Sequence, residues 1–186
     1  MNLIMIAGLG IGLIVAGVIA GMGVIYSGFT GRMATNTKSI IPTGVIKGNA
    51  LVVYDPGVTR AAKNAAGKIA NSLKLNDYKV ELAGVSSASA SNTSSHDVII
   101  AGGPMYYGKV SNSIDKYLKA LNIRKSVKIG VFGTTGSSEF HDEDIKSFGK
   151  QVTSNLNREA VIKTLRNGNS TSIDCTDFVS TLLNRR

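Results

Sequence analysis

Asp97-Val98-Ile99-Ile100-Ala101-Gly102-Gly103-Pro104-Met105-Tyr106-Tyr107-Gly108-Lys109 is the stretch whose reading decides the fold. Five residues of strand type run into a glycine-rich turn with paired tyrosines, and a helical pattern starts near Val110. Glycines let a backbone approach a ligand closely, and aromatic rings offer stacking faces. In open α/β sheets, ligands sit outside the carboxyl ends of the strands. A turn of this composition after a buried strand is therefore a candidate binding loop for a flat ligand.

The same alternation repeats on either side. Ala50-Leu51-Val52-Val53-Tyr54 is a short apolar run fit for a buried strand. A helix is expected over about 59–75, with Ala62, Ala66, Ile69 and Leu73 on one face. Lys79-Val80-Glu81-Leu82 alternates as an edge strand does, and residues 85–96 read as a loop with at most one helical turn. Beyond the tyrosines, Ser111–Asn122 presents Ile114, Tyr117, Leu118 and Leu121 at helical spacing, and Val127–Phe132 is a fourth strand. Asp142–Leu156 is a helix with Ile145, Phe148, Val152 and Leu156 on one side, and Ala160–Leu165 is a fifth strand. Ser172 is expected to cap a last helix whose stripe is Cys175, Phe178, Val179 and Leu182. Strands alternating with helices argue for βαβ units and a mostly parallel sheet.

Three loops then reach one end of that sheet. In Tyr54-Asp55-Pro56-Gly57-Val58-Thr59, a helix start presents free N–H groups and a partial positive charge, which suit a phosphate. The alternative is a strand-to-helix turn that binds nothing. In Gly102–Gly108 the tyrosines either stack on a ligand or pack against the next helix. Phe132-Gly133-Thr134-Thr135-Gly136-Ser137-Ser138 offers small residues and hydroxyls to the far side of a flat ligand.

Gly102, Pro104, Tyr106 and Gly108 match the Gly-Ser-Pro-x-Tyr-x-Gly pattern of the second flavin-contacting loop of flavodoxins, with Gly103 in place of a small hydroxyl residue. Over residues 49–186 the chain resembles that family. The resemblance implies an α/β fold: an open five-stranded parallel sheet in the order 2-1-3-4-5 with helices on both faces. It also implies FMN as cofactor and electron transfer as function. Asp55, Gly57, Val58 and Thr59 then meet the phosphate. Gly102, Gly103, Pro104, Met105, Tyr106, Tyr107 and Gly108 flank one side of the ring, and Gly133, Thr134, Thr135 and Gly136 the other.

The first loop departs from the family. Gly57 and Thr59 match the end of its Thr-Gly-Asn-Thr pattern, but Val58 replaces Asn, and Pro56 replaces Thr and removes a donor. Asp55 places a carboxylate near a phosphate unless it caps the turn, and Arg60 partly offsets it. The basic charge departs too, since flavodoxins are generally acidic. Three functions stay open: an FMN-binding electron carrier, a flavin-free interaction module on the same fold, or a membrane-associated flavin oxidoreductase acting on a quinone or porphyrin-like substrate that no residue specifies.

From Leu3 to Tyr26 there is no charged side chain. As a helix this run reaches roughly 36 Å, against about 30 Å of bilayer core. No Lys or Arg precedes it, and it exceeds the apolar region of a signal peptide. Residues 1–27 are expected to be a transmembrane anchor, 28–48 a linker and 49–186 the domain. Arg32, Lys38 and Lys47 precede the first acid, Asp55, which predicts a single-pass protein of the cell membrane with a cytoplasmic domain. Gly8 with Gly12, and Gly17 with Gly21, have GxxxG spacing, read either as homo-oligomer pairing or as the usual glycine content of such helices.

Twenty-one Lys and Arg against 12 Asp and Glu leave a net charge of +9. No nucleic-acid motif accompanies it, so the lipid bilayer with its anionic headgroups is the expected partner, beside redox proteins that the residues do not specify. The lone Cys175 excludes an intrachain disulfide and falls on an apolar helix face. His96 and His141 have no second ligand at metal spacing, so no metal centre is expected.

Overall fold

The computed structural model describes residues 34–135, 140–166 and 171–185. The expected anchor over residues 1–27 lies outside them, as do Gly136, Ser137 and Ser138 of the third loop. Among the described residues no helix is long and apolar enough to cross a membrane.

The elements run β1 (Thr37–Ile40), β2 (Gly48–Tyr54), α1 (Ala61–Leu75), β3 (Tyr78–Gly84), α2 (Ala88–Ser91), β4 (Val98–Tyr106), β5 (Lys109–Val110), α3 (Asn112–Ala120), β6 (Lys128–Thr135), α4 (Asp142–Leu156), β7 (Val161–Arg166) and α5 (Thr171–Asn184). They build one mixed sheet of seven strands, β1-β3-β2-β4-β6-β7, with β5 paired to β4. Counted alone, the parallel strands β3-β2-β4-β6-β7 stand in the order 2-1-3-4-5. The two additions, β1 on β3 and β5 on β4, are antiparallel.

The additions correct the sequence reading at specific places. Residues 37–40 lie inside the stretch expected to be linker, yet pair with Val80–Ala83. The amides of Gly84 and Ser86 donate to the carbonyls of Asn36 and Ala34 at 2.9 and 3.1 Å, so residues ahead of Asn49 already belong to the fold. Thr-Lys-Ser-Ile has no periodicity to read, because the strand exists to cover the backbone groups of β3. The glycine turn is corrected as well. β4 continues through Gly102, Gly103 and Pro104, which pair with Phe132–Thr134 of β6, and turns only after Tyr106. The strand β5 takes up Val110, and the helix expected over Ser111–Asn122 is α3, Asn112–Ala120. Ser172 is the second residue of α5 and not its cap, and Ile145 is exposed instead of joining the apolar side of α4.

Burial on both faces explains the continuous apolar runs of β2 and β4. On one face, Ala62, Ala66, Ile69 and Leu73 of α1 and Cys175, Phe178 and Leu182 of α5 pack over Val52, Ile100 and Phe132. On the other, Ile114 and Leu118 of α3 and Phe148 and Val152 of α4 cover Leu51, Val53, Ile99 and Val131. Each fully buried large side chain contributes about 1.5–3 kcal/mol.

Burial pushes the Cys175 thiol up to about 11, with Lys68 pulling it down and Asp174 adding to the rise. The folded state therefore holds its proton where the unfolded chain releases it. Stability should fall as pH rises from about 9 towards 11, and native Cys175 should resist iodoacetamide at pH 8 while unfolded chain reacts. Rapid alkylation of folded protein would contradict this burial.

Candidate functional site at the carboxyl rim

The three loops meet. The Asp55 amide donates to the Gly102 carbonyl at 3.0 Å, joining the first loop to β4. Gly57, at φ 61°, lies so close to Pro104 that a Cβ there would stand 2.9 Å from the proline Cγ. A Cβ on Gly103 would meet Ile114 and Ser111 at 3.0 Å and the Cβ of Asp55 at 3.2 Å. Thr134 of β6 pairs with Pro104, and its hydroxyl donates to the Gly103 carbonyl at 3.5 Å.

Asp55 is committed within the protein. One carboxylate oxygen accepts the Gly57 N–H at 3.0 Å, and the other accepts the Ser113 hydroxyl. Ser111 lies 3.1 Å from Ser113. The carboxylate thus caps its own turn and takes up the Gly57 donor. α1 opens with Arg60 in a left-handed conformation at φ 60°, and its first turn contains no acid. The Ala61 amide donates to Thr59 Oγ1 at 3.4 Å.

Tyr106-Tyr107-Gly108-Lys109 is a tight hairpin between β4 and β5. Tyr107 and Gly108 both have positive φ, 50° and 72°, the pattern that matches strand twist. Glycine or asparagine normally fills such positions, and holding tyrosine there costs on the order of 1 kcal/mol. Tyr107 is 97% exposed and Tyr106 49%, so neither is packed away under α3. Burial, then the negative charge of Asp55, raises the Tyr106 phenol, which places that ring beside the first loop.

The hairpin rests on α4. A Cβ on Gly108 would stand 2.9 Å from Ser147 and 3.0 Å from the Asp144 backbone. The Val110 N–H donates to Gln151 Oε1 at 2.9 Å. Gln151 and Asn155 both donate to Asp115 Oδ1, at 2.7 and 2.8 Å, and Lys119 holds Oδ2 at 2.7 Å. The Lys119 hydrogen bond foremost, then those of Asn155 and Gln151, hold the Asp115 carboxyl below its ordinary range against the opposing effect of burial. Gln151→Leu leaves the Val110 amide without its acceptor. It should cost about 1–2 kcal/mol in urea unfolding and speed exchange of that amide. Unchanged exchange would show that the hairpin does not depend on Gln151.

Of the predicted residues, Val58, Thr59, Tyr106 and Tyr107 face solvent, and Asp55, Gly57, Pro104 and Thr135 are half-buried. Gly102, Gly103, Met105, Gly108, Gly133 and Thr134 are buried. The small size of the glycines serves the approach of neighbouring elements: a Cβ on Gly102 would stand 2.3 Å from Phe132, and one on Gly133 would stand 2.2 Å from the Met105 sulfur. Gly136 lies outside the described residues. Ser111, Ser113 and Gln151 had no sequence signal. Gln151 meets Val110 across 41 residues, and only the packing of α4 on the hairpin joins them.

No protein-family model matches this chain, and no curated sequence does. Solved structures do resemble it. The flavodoxin of Streptococcus pneumoniae TIGR4 is 20% identical with a TM-score of 0.57, over 73% of this chain and 97% of that one. Flavodoxin 2 of Bacillus cereus is 19% identical with a TM-score of 0.52, over 73% and 97%. A cysteine-to-serine mutant of the flavodoxin from Pseudomonas aeruginosa is 12% identical with a TM-score of 0.54, over 73% and 99%. The domain therefore has the flavodoxin-like fold.

The residues present are compatible with FMN, the group that fold suggests. Two exposed tyrosine rings stand at the rim for the flat end. For the phosphate end, the Gly57 amide is taken by Asp55 and the Ala61 amide by Thr59, which leaves the later first-turn amides of α1 and the Arg60 charge.

Proposed function

We propose that this protein is a flavodoxin-like electron carrier that binds FMN at the carboxyl rim of its sheet. The reading includes a single-pass anchor in residues 1–27 that holds the domain at the cytoplasmic surface of the membrane. The observation that carries it is the Tyr106–Tyr107 hairpin: two exposed aromatic rings at the turn that ends β4, one of them on a left-handed residue where glycine or asparagine would cost less.

FMN, when bound, supplies the one- and two-electron chemistry. The chain's own residues hold and orient it. Tyr106 and Tyr107 offer faces to the ring. Pro104 and Gly57, packed on each other, fix the distance between the first loop and the hairpin. Asp55 locks the first loop to α3 through Ser113. Arg60 and the start of α1 attract the phosphate.

FMN titration of the full chain in zwitterionic detergent, followed by flavin fluorescence, tests the reading. Saturable binding with quenched emission is expected. Absence of binding at high micromolar FMN would sink it. One observation favours the second reading, a flavin-free interaction module: the Asp55 carboxylate already occupies the Gly57 amide that a phosphate would otherwise take.

A further inference from the structure

The outer surface of α1 carries cations that no carboxylate answers among the described residues. A shallow groove of about 510 Å³ is lined by Lys38, Lys63, Lys68 and Arg166, with Asn64 and Asn71, and no acid lines it. Among the described residues the ion pairs are Lys47–Asp77, His96–Glu81, Lys119–Asp115 and Arg185–Glu159, so none of the four cations is paired there. Lys63 and Gly67 follow one another along the solvent side of α1, where the glycine leaves open space. Lys38 stands on β1 opposite Leu82, and Lys68 lies near enough to α5 for its charge to act on Cys175.

The spread of these charges decides what they suit. Lys38 is on β1 and Arg166 on β7, the two ends of a row with five strand spacings between them. At about 4.8 Å per spacing the strands that carry the outermost cations stand roughly 24 Å apart. A face of that breadth exceeds one phosphate. It approaches the width of a protein footprint of about 800 Å², roughly 30 Å across. The exposed large apolar side chains of the domain, among them Ile41, Val45, Ile46 and Leu75, lie outside this lining. A lipid surface would want such groups to insert, and single-stranded nucleic acid would want aromatic rings to stack. The lining offers neither. The face also adjoins the candidate flavin site: Ala61 begins α1 after the first loop, Thr134 is in the third, and Arg166 ends β7 at the same rim.

We infer that the basic face of α1, bounded by Lys38, Lys63, Lys68 and Arg166, is the docking surface for an acidic protein partner. Its purpose, to bring a redox centre to the rim, rests on the electron-carrier reading. The docking itself is measured without flavin, so either can fail alone. Charge complementarity of this kind sets orientation and encounter rate and weakens with salt.

The test uses the full chain in zwitterionic detergent, with poly-L-glutamate as probe and acetic anhydride labelling of lysines as readout. Poly-L-glutamate should protect Lys38, Lys63 and Lys68 more than Lys116, Lys146 and Lys150, and the protection should fade with salt. Lys63→Glu with Lys68→Glu should weaken its binding by about tenfold or more, since each reversal replaces an attraction with a repulsion. The milder pair Lys63→Gln and Lys68→Gln should weaken it less but measurably, which guards against a folding defect. Charge reversal at Lys116, Lys146 and Lys150 should change it by less than about twofold. Equal protection of both sets would overturn the proposal. So would protection of the α1 set by phosphatidylserine-doped micelles or inorganic tripolyphosphate but not by poly-L-glutamate.

Discussion

Gly102→Ala is expected to be strongly destabilising, removing about 3 kcal/mol or more of folding free energy. Gly102 lies in the central strand β4, between Tyr54 of β2 and Phe132 of β6. A Cβ there would stand 2.3 Å from Phe132 Cδ1 and 2.4 Å from the Phe132 carbonyl oxygen. The ring is fully buried in the core under α1 and α5, so it has nowhere to retreat, and the oxygen belongs to the sheet itself. Overpacking a core commonly costs about 1–3 kcal/mol. A clash with backbone belongs at or above the top of that range, against a total stability of about 5–15 kcal/mol. Urea titration against wild type measures it. Gly149→Ala is the internal control. That glycine is in α4 with nothing within 4 Å of the added carbon, so alanine there should stabilise by about 0.5–1 kcal/mol. If Gly102→Ala and Gly149→Ala have similar stabilities, the register of β4 against β6 is wrong.

Tyr107→Gly should separate binding from stability. The ring is 97% exposed and contributes little packing, while the left-handed backbone at φ 50° favours glycine. Melting temperature should hold or rise by the relief of about 1 kcal/mol. FMN affinity should fall, because a stacked ring is worth about 0.5–1.5 kcal/mol. Removing Tyr106 as well should bring the loss to about 1–3 kcal/mol, or roughly 5- to 150-fold in Kd. Flavin fluorescence titration of the single and double variants gives both numbers. An unchanged Kd in the double variant would remove the hairpin from the site, even if FMN binds elsewhere.

The parallel core was legible because its signals are local. Val52 and Ile100 face one helical layer while Leu51 and Ile99 face the other, so strands buried on both sides show as unbroken apolar runs. The amphipathic stripes of α1 and α5 were legible for the same reason: Ala62, Ile69, Phe178 and Leu182 recur at helical spacing and are buried. The site was legible only in part. Glycine, proline and tyrosine after a strand mark a special turn, but they do not say what approaches whom. In the folded chain, Gly102 yields to Phe132 and Gly103 to Asp55 and Ile114, while the tyrosines are left outside.

By itself, then, the order of residues determined the alternation of strand and helix, the two-sided burial of the sheet, and the end of it to which Tyr54–Thr59 and Gly102–Gly108 are delivered. These follow from periodicity and chain connectivity, which a linear pattern contains. Tertiary structure alone decided that Thr37–Ile40 becomes an edge strand, that Asp55 is held by Ser113, and that Gln151 holds Val110. It also decided that lysines from α1 and β1 and an arginine from β7 line one groove. Each of these joins residues distant in the chain, and the energy that joins them exists only once the layers have packed.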